Sequence, residues 1–306
     1  MTGRGDSMPE FGRLLTAMVT PFTESGDVDY DQAKRLAKAI VASGSDGVII
    51  CGTTGESPTL SHDEKLRLFA EIKDALGDTG VLVAGTGNYN TEESIQLSLE
   101  AQEIGVDGLL LVVPYYNRPT PTGLYQHFVK IAESVSLPCV LYNVPSRTGQ
   151  NMPADTTIDL SHLDNIIGTK EAAGDLEQVA HIVQHSATDF RVWSGDDKDT
   201  LHVLAVGGYG VVSVASHIVG AQIKQMIDLF LEGNTGSAAD IHRGLLPLFS
   251  ALFLVTNPIP VKHALNFYGY SVGLPRLPLV APDSVTAGAI ESILQQYSTD
   301  LDNVWA

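Results

Sequence analysis

The sequence predicts an α/β fold, a (β/α)8 TIM barrel with a C-terminal helical appendage. Eight short apolar runs rich in β-branched residues recur, with helical patterns between them. Their starts lie roughly 20 to 35 residues apart, the length of a strand, a helix and two loops. Glycine recurs where a helix should end and a strand begin, in Gly44-Ser45-Asp46-Gly47, Gly105-Val106-Asp107-Gly108 and Gly207-Gly208-Tyr209-Gly210. It suits the left-handed cap of a helix C-terminus. Strands alternating with helices imply a parallel sheet, and eight such units close into a barrel. A doubly wound open sheet is the alternative. It usually needs fewer strands, and Gly85-Thr86-Gly87-Asn88-Tyr89-Asn90 lacks the third glycine of a dinucleotide-binding fingerprint.

In chain order the strand-like runs are 14–21, 47–52, 81–87, 108–114, 138–145, 166–171, 191–197 and 210–216. A helical pattern over 221–232 completes the eighth unit. Three more helices, 237–254, 260–267 and 284–297, exceed what a barrel requires, with Pro258 and Pro260 as breaks. No polar low-complexity linker precedes them, so they are expected to pack against the barrel rather than swing free. The expected division is a loose leader over 1–10, the barrel over 11–232 and a C-terminal helical region over 233–306.

Bulk properties narrow the function. A chain of 306 residues, 44% apolar, suits one large α/β domain. Its 29 glycines follow no collagen-like period and mark turns. A formal net charge of −18 argues against nucleic acid and anionic membranes as partners. No apolar run approaches a bilayer span, and the polar first ten residues lack the apolar core of a signal peptide. Cys51 and Cys139 fall in strand-like runs without metal-spaced partners. They read as buried thiols in a reducing compartment, the cytoplasm. His62, His127, His162, His202 and His263 have no i, i+4 partner and no Cys or Glu cluster that would make a metal site.

Reactive residues of such a barrel sit at the C-terminal ends of its strands. Lys170 closes Ile166-Ile167-Gly168-Thr169-Lys170 and is the one lysine that ends a barrel strand; Lys262, in the appendage, is not so easily placed. Burial disfavours an ammonium, and the neutral amine is a nucleophile that condenses with ketones to a Schiff base. A lone strand-end lysine more often snorkels into water, so the other strand ends decide. Gly52-Thr53-Thr54-Gly55 is a tight turn with free backbone donors and two hydroxyls, a nest for a carboxylate or phosphate or else an ordinary capped loop. Tyr142 ends the strand before Lys170, within reach to exchange a proton with it or merely packing its ring. Arg147 follows in a loop with Pro and Gly, where its fork suits a second carboxylate. Tyr115-Tyr116 precedes the proline-bearing stretch 117–121 and suits either the site or an interface.

Taken together, six pieces resemble the dihydrodipicolinate synthase family of pyruvate-dependent class I aldolases, within the N-acetylneuraminate lyase superfamily. They are Gly52-Thr53-Thr54-Gly55-Glu56-Ser57, Pro114-Tyr115-Tyr116-Asn117-Arg118-Pro119, Tyr142-Asn143-Val144-Pro145-Ser146-Arg147-Thr148-Gly149, Lys170-Glu171-Ala172-Ala173-Gly174-Asp175, Ser194-Gly195-Asp196-Asp197 and Asn257-Pro258-Ile259-Pro260-Val261-Lys262. They span nearly the whole chain in the family's order.

The resemblance implies the following roles. Lys170 forms the imine with pyruvate, and the backbone of Thr53 and Thr54 holds the pyruvate carboxylate. Thr54, Tyr142 and Tyr116 form a proton relay, Tyr116 reaching into a neighbouring subunit's site. Arg147 anchors the carboxylate of the aldehyde substrate, and Gly195 and Val212 line the site. The implied reaction condenses pyruvate with L-aspartate 4-semialdehyde in the diaminopimelate route to lysine. It implies no metal or organic cofactor, and a homotetramer built from dimers. The rivals are N-acetylneuraminate lyase, the 2-keto-3-deoxy-sugar-acid aldolases and a non-catalytic keto-acid-binding barrel. The positions of a lysine feedback site would fall on Ser57, Pro58, His62, Lys65, Tyr89, Glu93 and Tyr115. Lys65 and Tyr89 depart from the strongly sensitive pattern, which has histidine and asparagine there, so inhibition by lysine is expected to be weak or absent.

Overall fold

Eight strands form where the apolar runs lie: β1 Leu14–Ala17, β2 Gly47–Ile50, β3 Val81–Gly85, β4 Gly108–Val112, β5 Cys139–Asn143, β6 Ile166–Glu171, β7 Arg191–Ser194 and β8 Gly210–Ser213. They pair in parallel in sequence order and close into a barrel, β8 meeting β1 with Leu15 opposite Val212. This computed structural model describes residues 11–303. The leader expected over 1–10 and the last three residues lie outside the described part.

The helices are α1 Tyr30–Ala42, α2 His62–Leu76, α3 Thr91–Ile104, α4 Pro121–Ser134, α5 Pro145–Thr148, α6 Ala154–Leu160, α7 Leu176–His185, α8 Thr200–Ala205, α9 Ser216–Leu231, α10 Thr235–Ala251, α11 Ile259–Phe267 and α12 Ser284–Leu294. Side-chain caps set the starts of α1, α2, α3, α4, α7 and α12. Asp29 accepts from the Gln32 N–H, and Ser61 and Glu64 form a reciprocal capping box on α2. Gly105 ends α3 in the left-handed region at φ +90°.

Side chains alternate across each strand. Leu15, Leu110, Val140, Tyr142, Trp193 and Val212 point into the barrel, while Leu14, Leu109, Leu111, Cys139 and Leu141 join the layer beneath the helices. Phe11 and Trp193 are fully buried within this interior, and the Trp193 indole N–H donates to the Gly12 carbonyl at 3.0 Å. That closes the N-terminal end of the barrel and leaves the C-terminal mouth for chemistry.

Several boundaries differ from the sequence pattern: β1 ends at Ala17 and β7 at Ser194, short of the expected 21 and 197, and α10 runs over Thr235–Ala251 rather than 237–254. Helix α9 begins at Ser216, five residues before the expected start at 221, because the Ser216 N–H donates to the Ser213 hydroxyl at 2.8 Å and turns the chain early. Gly220 reads as a weak helix position. In the fold it lets α9 approach the chain after α1, since a Cβ there would lie 3.1 Å from the Ser43 carbonyl oxygen. Helix α12 ends at Leu294 rather than 297. Cys51 lies just past β2, with φ +52°.

The C-terminal helices pack on the barrel. Asp300 accepts from the Ala221 N–H at 2.9 Å, and the Tyr297 hydroxyl donates to the Gly244 carbonyl. Lys262 of α11 is fully buried and ion-paired with Glu56 at 2.8 Å. It also donates to the carbonyls of Thr20 and Leu274 and lies 4.1 Å from the Phe22 ring centroid. Burial pulls its ammonium below the usual lysine range, and Glu56 opposes that shift. Among the described residues no helix is long and apolar enough to cross a membrane.

Candidate active site

The inward alternation of neighbouring strands brings Tyr142, Lys170 and Trp193 into one row across β5, β6 and β7. Lys170 is 5% exposed, and its Nζ lies 4.2 Å from the centroid of the Tyr142 ring. The amine therefore rests on the ring face of Tyr142, at the strand end and inside the mouth. Beside it, Gly195 follows β7, and its N–H donates to the Glu171 carbonyl at 2.7 Å. A Cβ at 195 would come within 3.2 Å of Lys170 Cε and 2.6 Å of Ala172 Cβ, so only glycine leaves the lysine its room. Val212 is buried in the same interior layer on β8.

Glu171 clamps the end of β6. Its buried carboxylate accepts from Asn143 Nδ2, the Ala173 N–H and Gln178 Nε2. Burial pushes its carboxyl above the usual range, against the pull of these hydrogen bonds. Asp197 does the same for the chain after β8. It accepts from the Ser213 hydroxyl and from the Val214 and Ala215 N–H groups, and burial raises it to about 6.

The loop after β2 forms the facing wall. Cys51 and Glu56 take left-handed backbone conformations at φ +52° and +56°, which wind 52–55 into a tight turn. The Thr20 hydroxyl donates to the Gly55 carbonyl at 2.7 Å. Glu56 is held by Lys262 and by the Arg276 N–H at 2.9 Å. Among the described residues the Thr53 and Thr54 N–H groups donate to no protein acceptor, the arrangement of an anion nest. The Thr54 hydroxyl is buried and accepts from Asn257 Nδ2 at 2.8 Å, while Arg147 Nη2 donates to the Asn257 carbonyl at 3.1 Å. Arg147 sits on the single turn of α5, which Gly149 ends at φ +73°. One C-terminal residue thus links the nest to the arginine.

Other expected residues stand apart. Tyr116 is 91% exposed at φ +73° and is not brought into this mouth. Tyr115 stacks edge-on against Tyr89 with ring centroids 5.0 Å apart, and its phenol is pushed up by burial, then by Tyr89 and Glu93. Glu93 accepts from Asn88 and Asn90. Lys65 is half-buried, its ammonium pulled down by burial and supported by Cys51 and Glu93. His62 Nε2 lies 2.9 Å from the Glu100 carboxylate rather than joining that cluster, and Ser57 opens a short 3-10 turn with Pro58 exposed.

The sequence assigns no role to Asn257, which stands only in a matching segment, or to Lys262, which stands out there only as a lysine of the appendage without a clear place. Glu171, Asn143 and Asp197 were likewise not assigned. The available signal was a buried-type run carrying polar side chains, which need partners. Those partners lie far along the chain, Asn257 being 203 residues from Thr54.

Comparison with known proteins agrees with the fold. A model of the dihydrodipicolinate synthetase family matches residues 10–297. A 4-hydroxy-tetrahydrodipicolinate synthase from Dehalococcoides mccartyi is 55% identical over 294 residues, covering 96% of this chain and 99% of the relative. Among solved structures, dihydrodipicolinate synthase DapA-2 from Bacillus anthracis has a TM-score of 0.93 at 41% identity, covering 95% of this chain and 99% of that one. The enzyme from Cyanidioschyzon merolae, solved with lysine bound, has a TM-score of 0.92 at 45% identity, covering 93% and 97%.

Proposed function

The chain belongs to the dihydrodipicolinate synthetase family and is an enzyme with 4-hydroxy-tetrahydrodipicolinate synthase activity, a lyase of lysine biosynthesis; on that premise we propose the residues that carry its reaction. The observation that supports the reading most is the buried Lys170 amine lying on the Tyr142 ring at the barrel mouth.

Lys170 attacks the ketone carbon of pyruvate, and water leaves as the imine forms. Loss of a methyl proton gives the enamine, whose carbon attacks the aldehyde of L-aspartate 4-semialdehyde. The substrate amine then displaces Lys170 as the ring closes. The Thr53 and Thr54 N–H groups receive the pyruvate carboxylate. Thr54, Tyr142 and Tyr116 from a neighbouring copy of the chain move the protons. Gly195 and Val212 shape the wall. A panel of aspartate semialdehyde, N-acetylneuraminate and 2-keto-3-deoxygluconate tests the substrate. Turnover of either sugar acid ahead of pyruvate with the semialdehyde contradicts this reading.

Arg147 serves the semialdehyde carboxylate. Arg147→Ala is expected to lower kcat/KM for the semialdehyde by about 1.5–3 kcal/mol, roughly ten- to hundredfold, while imine formation with pyruvate survives. Steady-state kinetics in each substrate check it; an unchanged semialdehyde response contradicts it.

The active form is a homotetramer of dimers, supported by a fully exposed tyrosine that the chain's own mouth does not use. Sedimentation at assay concentration is expected to find no active monomer. The cytoplasm suits two free buried thiols, both raised to about 12 by burial. The region 233–306 works with the barrel as one unit, since Asn257 and Lys262 hold the nest.

Lysine inhibition is weak. Lys65 places a cation beside Glu93, where a cationic amino acid would have to bind, and like charges repel. Tyr89 fills the neighbouring space against Tyr115. A lysine titration at subsaturating pyruvate is expected to show no half-inhibition below the millimolar range.

A further inference from the structure

We propose that Glu171 is a positioning residue: through a closed ring of four side chains it holds the Lys170 amine on the face of Tyr142. Tyr142 stands opposite Lys170 in the register of β5 and β6, and Asn143 stands opposite Glu171 one residue further on. Side chains alternate along a strand, so the second pair points to the outer side of the barrel wall, behind the reactive pair. Both residues are nonetheless buried, Asn143 fully and Glu171 at 4% exposed. Asn143 Nδ2 donates to the two Glu171 oxygens, at 3.0 and 3.1 Å, and to Asn151 Oδ1 at 2.7 Å. Asn151 Nδ2 donates to Gln178 Oε1 at 2.8 Å, and Gln178 Nε2 closes the ring on Glu171 at 3.2 Å. The ring joins the strand end next to Tyr142, the strand end next to Lys170, the chain that follows the Arg147 turn, and α7.

The carboxylate sets every orientation in this ring. An ionised carboxylate only accepts, so Asn143 and Gln178 both present their nitrogens to it. Asn143 then keeps Oδ1 for the Met152 N–H at 3.0 Å, and Gln178 keeps Oε1 for Asn151. The Ala173 N–H adds a donor to Glu171 at 2.9 Å, and Asp175 holds the Gln178 N–H at 3.0 Å. Burying a carboxylate costs free energy that an apolar pair at these two positions would not. What the ring supplies is therefore geometry rather than net stability. It stops the ends of β5 and β6 from moving relative to each other, and so fixes the amine against the ring it lies on.

This inference rests on the reading of Lys170 as the imine-forming residue, and the two fail differently. Glu171→Gln keeps the shape but turns an amide nitrogen toward the Asn143 and Gln178 donors. Imine formation with pyruvate, read by borohydride trapping well below Tm, should slow about 30- to 100-fold, the scale of a displacement of about 1 Å at a reacting atom. A residue that only stabilised the fold would lower Tm and leave the trapping rate of the folded enzyme alone. Asn143→Asp should slow trapping as much, because two carboxylates then face each other. Combining Asn143→Asp with Glu171→Gln should restore the rate to within about threefold of the parent. The aspartate then accepts from the new glutamine, the Asn151 and Gln178 amides flip, and the ring closes with its donors reversed. Gln178→Ala opens the ring without altering either strand and should slow trapping about tenfold. It decides the matter if Glu171→Gln does not fold. A trapping rate within about threefold of the parent for Glu171→Gln or Gln178→Ala, or a double variant as slow as the single ones, overturns the proposal. A parent enzyme that turns over with no adduct on Lys170 instead sinks the imine reading beneath it.

Discussion

Lys170→Ala is expected to lower kcat/KM by on the order of 10⁴-fold or more, the scale seen when a covalent nucleophile is removed. The loss has two parts. No imine can form, so the pyruvate methyl carbon is never activated as an enamine. The pocket also loses the amine that lies on Tyr142, and the site offers no second lysine, since Lys262 is locked in its pair with Glu56. Lys170→Arg should fail equally, because a guanidinium stays protonated and does not condense with ketones. Steady-state turnover with pyruvate and the semialdehyde checks both variants. Residual activity within about tenfold of the parent contradicts the assignment of Lys170.

Lys262→Met is expected to destabilise the fold by about 3–5 kcal/mol, because it leaves the Glu56 carboxylate buried without its counter-charge. For a chain of this length that corresponds to a fall in Tm of roughly 5–10 °C. The Arg276 N–H still binds the other Glu56 oxygen, but a single amide does not offset a buried charge. Pairing the change with Glu56→Gln should recover part of the loss, since both charges then leave together. The single variant should also raise the pyruvate KM, because Glu56 ends the loop that holds Thr53 and Thr54. Thermal or denaturant unfolding checks the first effect and pyruvate kinetics the second. A Lys262→Met variant within about 1 kcal/mol of the parent contradicts the role of the pair.

The barrel was legible because its code is local. The strands are four- to six-residue, largely apolar runs, several of them next to glycine or proline, and several helices start at a side chain such as Asp29, Ser61 or Asn90 that caps them. Lys170, Tyr142 and Arg147 were legible for a related reason. Parallel strands of a barrel all end at one mouth, so residues at strand ends are brought together by topology alone. What the sequence left unread is what depends on distant pairing. Nothing local tells Asn257 that its amide will meet Thr54, or Lys262 that it will be buried against Glu56. The start of α9 at Ser216 was missed because the cap is the hydroxyl of Ser213, on the strand itself. Tyr116 shows the limit from the other side: its exposure is visible in one chain, while the role proposed for it calls on a second copy.

Incubation with pyruvate, reduction with borohydride and peptide mass mapping reports imine attachment most directly. The reduced pyruvyl adduct is expected on Lys170 alone, with loss of activity in proportion to labelling and no adduct in Lys170→Ala. An adduct on any other lysine, or an enzyme that turns over both substrates while no adduct forms, contradicts Schiff-base catalysis at Lys170.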